Sequence, residues 1–217
     1  NNPEDAYPED QLLHFLKKAA ADRKNLIIIT SGRDKDTLEK WFGNLNIDLV
    51  AEHGAAYKEN GKWNELIQDV VWDDEIIHIL NEFVDKTPGS RIEMKKTGLV
   101  WHFRSVDDWL AVLRERQLIN ALIAPCNRYG LQMMRGNKIL EIKYPIYSKG
   151  NEIKRLLSKE HYDFILTMGD DVTDEDMFIA VPPNGYSIKI GSTSDNAKYS
   201  ISLQTDVLPF LYHLCGL

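Results

Sequence analysis

Cysteine is scarce in this chain. Its 217 residues hold two, Cys126 and Cys215, far apart and without Cys-x-x-Cys spacing, which excludes a disulfide framework and a zinc site of the usual pattern. Positive charge is not in surplus either: 26 Lys and Arg stand against 33 Asp and Glu, a formal net charge of −7. No basic stripe forms along the sequence, so nucleic acid is not expected as a partner. No window approaches the roughly 18 apolar residues of a membrane-spanning helix. The opening Asn1-Asn2-Pro3-Glu4-Asp5 has neither a basic stretch nor an apolar run. The expectation is therefore a chain with no membrane partner, placed in the cytoplasm. Internal repeats and low-complexity tracts are also missing.

What is present fits an ordinary folded domain, with 43% hydrophobic and 27% charged residues. The length allows one sizeable core with a smaller appended layer. Leu12, Leu13, Leu16, Ala19 and Ala20 recur on one side of a helix over 9–21, and Asn25 to Thr30 then reads as a continuous apolar strand. Such a run marks a parallel strand covered on both faces by helices. Helix 34–44, a short strand 49–52 and an edge hairpin through Tyr57 and Trp63 follow.

From Trp72 the rhythm changes. A helix over 73–85, strands 90–96 and 99–104, a helix over 106–123 and strands 129–135 and 138–142 give an αββαββ order with antiparallel hairpins. The alternation of strand and helix then resumes, with helix 149–159, strand 164–168, helix 174–180, strand 186–190 and helix 205–215. The expected division is a core of 1–71 and 146–217 interrupted by an inserted lobe of 72–145.

Three segments point to chemistry. Gly169 to Phe178 reads GDDVTDEDMF and follows an apolar strand directly. Asp174 to Asp176 are explained by a helix N-terminus, where acids suit the macrodipole. Asp170 and Asp171 are not, because they occupy the carboxyl end of a strand, where open α/β sheets bind ligands. Oxygen donors without nearby His or Cys suit Mg²⁺, which keeps positions for water and phosphate, so a phosphoryl substrate is implied. The second segment, Thr30-Ser31-Gly32-Arg33, ends a strand and could hold an anion through a hydroxyl and backbone N–H groups, or could be a simple turn in which Arg33 pairs with Asp36. The third, Ser148-Lys149-Gly150, opens a helix. Its lysine is either solvated surface or a charge that stabilises a transferring phosphoryl group.

The order strand-SGR, inserted lobe, SKG on a helix and GDDVTDEDMF after a strand resembles the haloacid dehalogenase superfamily, and within it the trehalose-6-phosphate phosphatases. Ala51-Glu52-His53-Gly54-Ala55, Glu93-Met94-Lys95, Trp101-His102-Phe103-Arg104 and Leu140-Glu141-Ile142 extend the likeness over nearly the whole chain. The resemblance implies a Rossmann-like parallel sheet core with the αββαββ lobe as its cap, closing over a sugar phosphate. It implies that Ser31 and Gly32 hold the phosphoryl group, that Lys149 balances its charge, and that Asp170 ligates Mg²⁺ with Asp171 and Asp174 in support. Arg33, Glu93, Lys95 and Glu141 would bind the substrate, the last three at the sugar hydroxyls. Read from the strands alone, those three charges also fit the solvated face of a half-covered sheet. Neither His53 nor His102 is assigned to the chemistry.

One family element is missing. The resemblance implies an Asp-x-Asp-Gly-Thr segment on a central strand, whose first Asp forms an aspartyl-phosphate while the second acts as acid and base. The 217 residues contain no such segment. Asp34-Lys35-Asp36 follows SGR into a helix, and Asp174-Glu175-Asp176 belongs to the acidic motif. The expectation is that the segment lies just upstream of Asn1, that a trehalose-phosphate synthase domain can be fused or associated, and that the chain by itself is inactive. Hydrolysis of sucrose 6-phosphate or of a mannosyl-phosphoglycerate, and a non-catalytic sugar-phosphate-binding domain of a synthase, remain open alternatives.

Overall fold

The computed structural model describes residues 7–66, 72–95 and 97–217. Position 96, the last of the strand expected over 90–96, lies outside the described residues. Two compact units result, one formed by Asn1–Leu66 with Ser148–Leu217 and the other by Ile67–Tyr147.

In the first unit, helix α1 (Asp10–Ala19) leads to strand β1 (Ile28–Thr30). Helix α2 (Lys35–Phe42) follows, capped by Asp34, whose carboxylate accepts the Thr37 N–H. Strand β2 (Asp48–Ala51) pairs parallel with β1, and the hairpin β3 (Ala56–Glu59) and β4 (Lys62–Glu65) adds antiparallel to it, giving the order β1-β2-β3-β4. The apolar side of α1 packs Phe15, Leu16 and Ala19 with Leu38 and Phe42 of α2 onto Leu49 and Ala51. A fully buried leucine such as Leu38 or Leu49 contributes about 1.5–3 kcal/mol.

The second part of this unit holds helix α5 (Lys149–Leu157), strand β9 (Leu166–Gly169), helix α6 (Glu175–Ala180), strands β10 (Tyr186–Ile190) and β11 (Tyr199–Ile201), and helix α7 (Val207–Cys215). Strands β9, β10 and β11 are parallel, in the order β11-β10-β9. Helix α7 returns to α1, where Tyr212 meets Phe15 edge-on at 5.1 Å. Strands β1 and β9 each end their sheet, and a slot of about 400 Å³ is lined by Ile28–Thr30 on one side and Leu166–Gly169 on the other.

The intervening unit runs α3 (Asp74–Asp85), β5 (Arg91–Met94), β6 (Gly98–His102), α4 (Asp108–Tyr129), β7 (Gln132–Gly136) and β8 (Ile139–Lys143). Its sheet is wholly antiparallel, in the order β5-β6-β8-β7. Leu99, Trp101, Leu140 and Ile142 alternate onto one face and pack with Ile76, Leu80, Leu118 and Leu122 of the two helices.

The strand expected over 25–30 is confined to Ile28–Thr30, Glu52 falls outside β2, and two further elements depart from the sequence expectation. Helix α4 does not stop before Pro125 but runs through it to Tyr129, where Gly130 (φ 65°) turns the chain in a left-handed cap and Leu131 N–H returns to Cys126 O. The strand expected from 129 therefore begins at Gln132. Strand β11 was not expected at all: three residues, Tyr-Ser-Ile, carry no period, and pairing to β10 creates the strand.

Candidate active site

The carboxyl ends of the parallel strands β1 and β9 carry the residues that the sequence singles out. Ser31 follows β1 as the ladder runs on: its N–H bonds Val50 O at 2.9 Å, and its hydroxyl accepts the Arg33 N–H at 3.2 Å. This closes a tight hydroxyl turn at Ser31-Gly32. The Arg33 guanidinium lies over the Trp41 ring at 4.5 Å. Burial acts against the charge of Asp34, yet hydrogen bonds from the Thr37 N–H and hydroxyl outweigh it and hold the carboxyl below its ordinary value.

Lys149 opens α5 behind its cap Ser148, which accepts the Asn151 N–H at 3.2 Å. The lysine is 8% exposed, and its ammonium donates to Asp174 Oδ1 at 2.6 Å. Asp174, 3% exposed, accepts the Asp171 N–H through Oδ2 at 2.9 Å. Both Asp174 oxygens are thus engaged. Gly169 is required beside them, since a Cβ there would fall 2.2 Å from Asp174 Cγ. Asp170 and Asp171 are both exposed: Asp171 Oδ1 accepts the Val172 N–H at 2.7 Å, while Asp170 lines the slot together with Thr30, Lys149 and Asp174. The Thr30 hydroxyl is buried there without a hydrogen-bond partner among the described residues.

Among the described residues, no three His, Cys, Asp or Glu side chains form a metal-binding cluster. The donor set fits a hard cation nonetheless. Mg²⁺ commonly takes one or two carboxylates and completes its shell with water and phosphate oxygens, and Asp170 offers an exposed carboxylate at the slot.

Three supports of this site, of which Lys189 lies in no motif, show their role only in the structure. Lys189 on β10, 5% exposed, donates to Asp171 O at 2.8 Å and pairs with Glu175 at 3.2 Å. Glu175 in turn accepts from Ser194 at 2.5 Å and Asn196 at 2.9 Å, and these bonds with Lys189 hold its carboxyl below the ordinary value against the opposing effect of burial. The available signal was a charge inside an otherwise apolar strand, Tyr-Ser-Ile-Lys-Ile. The third support is the turn Glu52-His53-Gly54, where φ is 46°, 58° and 114°. A left-handed conformation costs a non-glycine residue about 1–2 kcal/mol.

In the other unit, Glu93, Val100 and Glu141 are register neighbours across β5, β6 and β8, on the face opposite the helices. His102 lies 2.7 Å from Glu93 Oε2. Burial, only partly offset by that bond, lowers the His102 pKa, so the neutral imidazole donates its Nε2–H to the carboxylate. Glu141 is buried, and its Oε1 would stand 3.3 Å from a Cβ at Gly98. Lys95 begins the turn back to β6, its N–H bonding Gly98 O at 2.8 Å.

The sequence profile of the family described as trehalose-phosphatase matches residues 1–206. UDP-forming alpha,alpha-trehalose-phosphate synthase B of Dictyostelium discoideum is 40% identical over 183 residues, covering 82% of this chain and 23% of that protein. A bifunctional trehalose-6-phosphate synthase/phosphatase of Thermoproteus tenax is 36% identical over 201 residues, covering 92% and 28%. The chain therefore spans about a quarter of the length of these curated relatives. Among solved structures, the C-terminal domain of trehalose-6-phosphate phosphatase from C. albicans superposes with a TM-score of 0.89 at 33% identity, covering 100% of this chain and 87% of that one.

Proposed function

The chain belongs to the trehalose-phosphatase family, and from that premise we propose that its domain serves the Mg²⁺-dependent hydrolysis of trehalose 6-phosphate to trehalose and phosphate. Its α/β fold is of the haloacid-dehalogenase type. The observation that supports the reading is that Thr30, Lys149 and Asp170 line one slot at the carboxyl ends of β1 and β9, beside the buried Lys149–Asp174 pair, with Ser31 following directly on β1.

Ser31 and the Gly32 turn bind the phosphoryl oxygens. Lys149, held in place by Asp174, brings its positive charge to the charge that develops on phosphorus oxygens in the transition state. Asp170 is the carboxylate that would hold Mg²⁺, with Asp171 and Asp174 shaping the loop behind it. The bound cation would supply neutralisation of the phosphate dianion. Arg33, Glu93, Lys95 and Glu141 select the substrate, the last three at its hydroxyls, where an ill-fitting sugar leaves buried polar groups unpaired. The covalent mechanism needs an attacking carboxylate on a strand, and the slot between the edges of β1 and β9 is of a kind that such a strand would fill. The synthase and bifunctional relatives support a trehalose-phosphate synthase domain fused to or associated with this one.

Phosphate release from trehalose 6-phosphate, measured with Mg²⁺ for the chain alone and with an added peptide of five apolar residues followed by an Asp-x-Asp-Gly-Thr sequence, tests the reading. The chain alone is expected to be inactive, and the peptide to restore turnover. Robust turnover by the chain alone overturns the covalent mechanism, and preferential turnover of sucrose 6-phosphate or a mannosyl-phosphoglycerate overturns the substrate. A second reading, a non-catalytic sugar-phosphate-binding domain, is favoured by the synthase relative. Saturable binding of trehalose 6-phosphate without turnover under every condition would establish it.

A further inference from the structure

The turn Glu52-His53-Gly54 holds three successive residues at positive φ, two of them not glycine, and buries all three. A sequence does not retain left-handed backbone in buried non-glycine residues unless the surroundings over-determine it. Here the surroundings are the two segments proposed to hold phosphate. On one side the Glu52 N–H bonds Arg33 O at 2.9 Å, the His53 N–H bonds Ser31 O at 3.0 Å, and the imidazole lies so close over Gly32 that a Cβ there would fall 2.4 Å from Nε2. On the other side Gly54 packs on the start of α5, where its Cβ position is 3.6 Å from Ser148 O and 3.8 Å from Glu152 Cβ. The turn touches the Ser31-Gly32 turn and the Lys149 helix start at once.

We propose that Glu52-His53-Gly54 is a strut that sets the separation between the Ser31-Gly32 turn and Lys149, with His53 as a positioning residue that fixes Gly32 against the anion. The functional half of this rests on the phosphate-site reading above, while the mechanical half does not. The φ values make the two separable by mutation. His53→Gly removes the ring and also relieves the left-handed residue, so on stability alone it is favourable at the backbone. A strut is different: losing it loosens both segments it separates.

Hydrogen exchange and titration with inorganic phosphate in the presence of Mg²⁺, both on the 217-residue chain, decide the matter. Asn60→Gly serves as control, since Asn60 (φ 50°) sits in a β-hairpin turn away from these loops. In His53→Gly the amides of Arg33 and of Asn151, across the turn, are expected to exchange faster together, and phosphate to bind about tenfold more weakly. Asn60→Gly should leave exchange and binding unchanged. Faster exchange confined to 31–33, with α5 untouched, overturns the strut. Coupled exchange with phosphate affinity unaltered overturns the positioning role of His53. A wild-type chain that binds no phosphate refutes the phosphate-site reading and the positioning role with it, while exchange still rules on the strut.

Discussion

The Lys149 ammonium stands 2.6 Å from Asp174 Oδ1 while Oδ2 of the same carboxylate takes the Asp171 N–H at 2.9 Å. Asp174 thereby joins the first turn of α5 to the acidic loop after β9, and it orients a lysine whose side chain is nearly out of water. Its value lies in what it holds.

Asp174→Ala should cost about 3–5 kcal/mol, because it leaves a buried ammonium unpaired and an N–H without its acceptor. Equilibrium unfolding in urea measures it. A loss below about 1 kcal/mol would mean that Lys149 finds solvent or another partner, and that the pair does not fix the lysine.

Lys189→Met should be milder in stability, about 1–2 kcal/mol, since Glu175 keeps Ser194 and Asn196 and the new side chain fills similar space. Its effect should be local: the Asp171 carbonyl keeps the Asp174 N–H but loses its charged donor, and amides over 170–174 should exchange faster than in the wild type. Unchanged exchange there would remove Lys189 from the supports of the acidic loop.

The lowered pKa of His102 makes stability depend on pH with a defined sign. The unfolded chain takes up a proton near its ordinary value of about 6.5, the folded state only at lower pH. Unfolding therefore binds protons, so the contribution is intact above about 6.5 and declines as the pH falls below it. His102→Gln, which still donates to Glu93, should flatten the stability curve between pH 7.5 and 5. An unaltered slope in thermal unfolding would show that His102 does not titrate in this way.

Burial pushes the Cys126 thiol up to about 11, whereas Cys215 is exposed. Thiol reagents act on the thiolate, so at pH 8 a maleimide should label Cys215 in the native chain and reach Cys126 only after denaturation. Equal native labelling would mean that the α4 packing opens far more readily than its buried neighbours imply.

Much of the fold was legible in the sequence. The apolar run ending at Thr30, the helical spacing of Leu12, Leu16 and Ala19, and the change to αββαββ order after Trp72 are local patterns, and local patterns are what residue periodicity encodes. The acidic loop after β9 and the serine and lysine turns could be singled out for the same reason: each is a contiguous string beside a strand or helix end. Strand β11 and the passage of α4 through Pro125 could not be read, because pairing to β10 and packing on the antiparallel sheet outweighed weak local signals.

By itself the sequence determined which residue types stand at the ends of which elements. The tertiary structure alone decided their partners: Asp174 with a lysine 25 positions earlier, Lys189 beneath the Asp171 carbonyl, and His53 against Gly32. The physical reason is that parallel strands bring their carboxyl ends together only through the register of the sheet, and register is a property of pairing between distant segments. The same holds for the slot between β1 and β9, whose unpaired edges exist only once each strand has found its one neighbour.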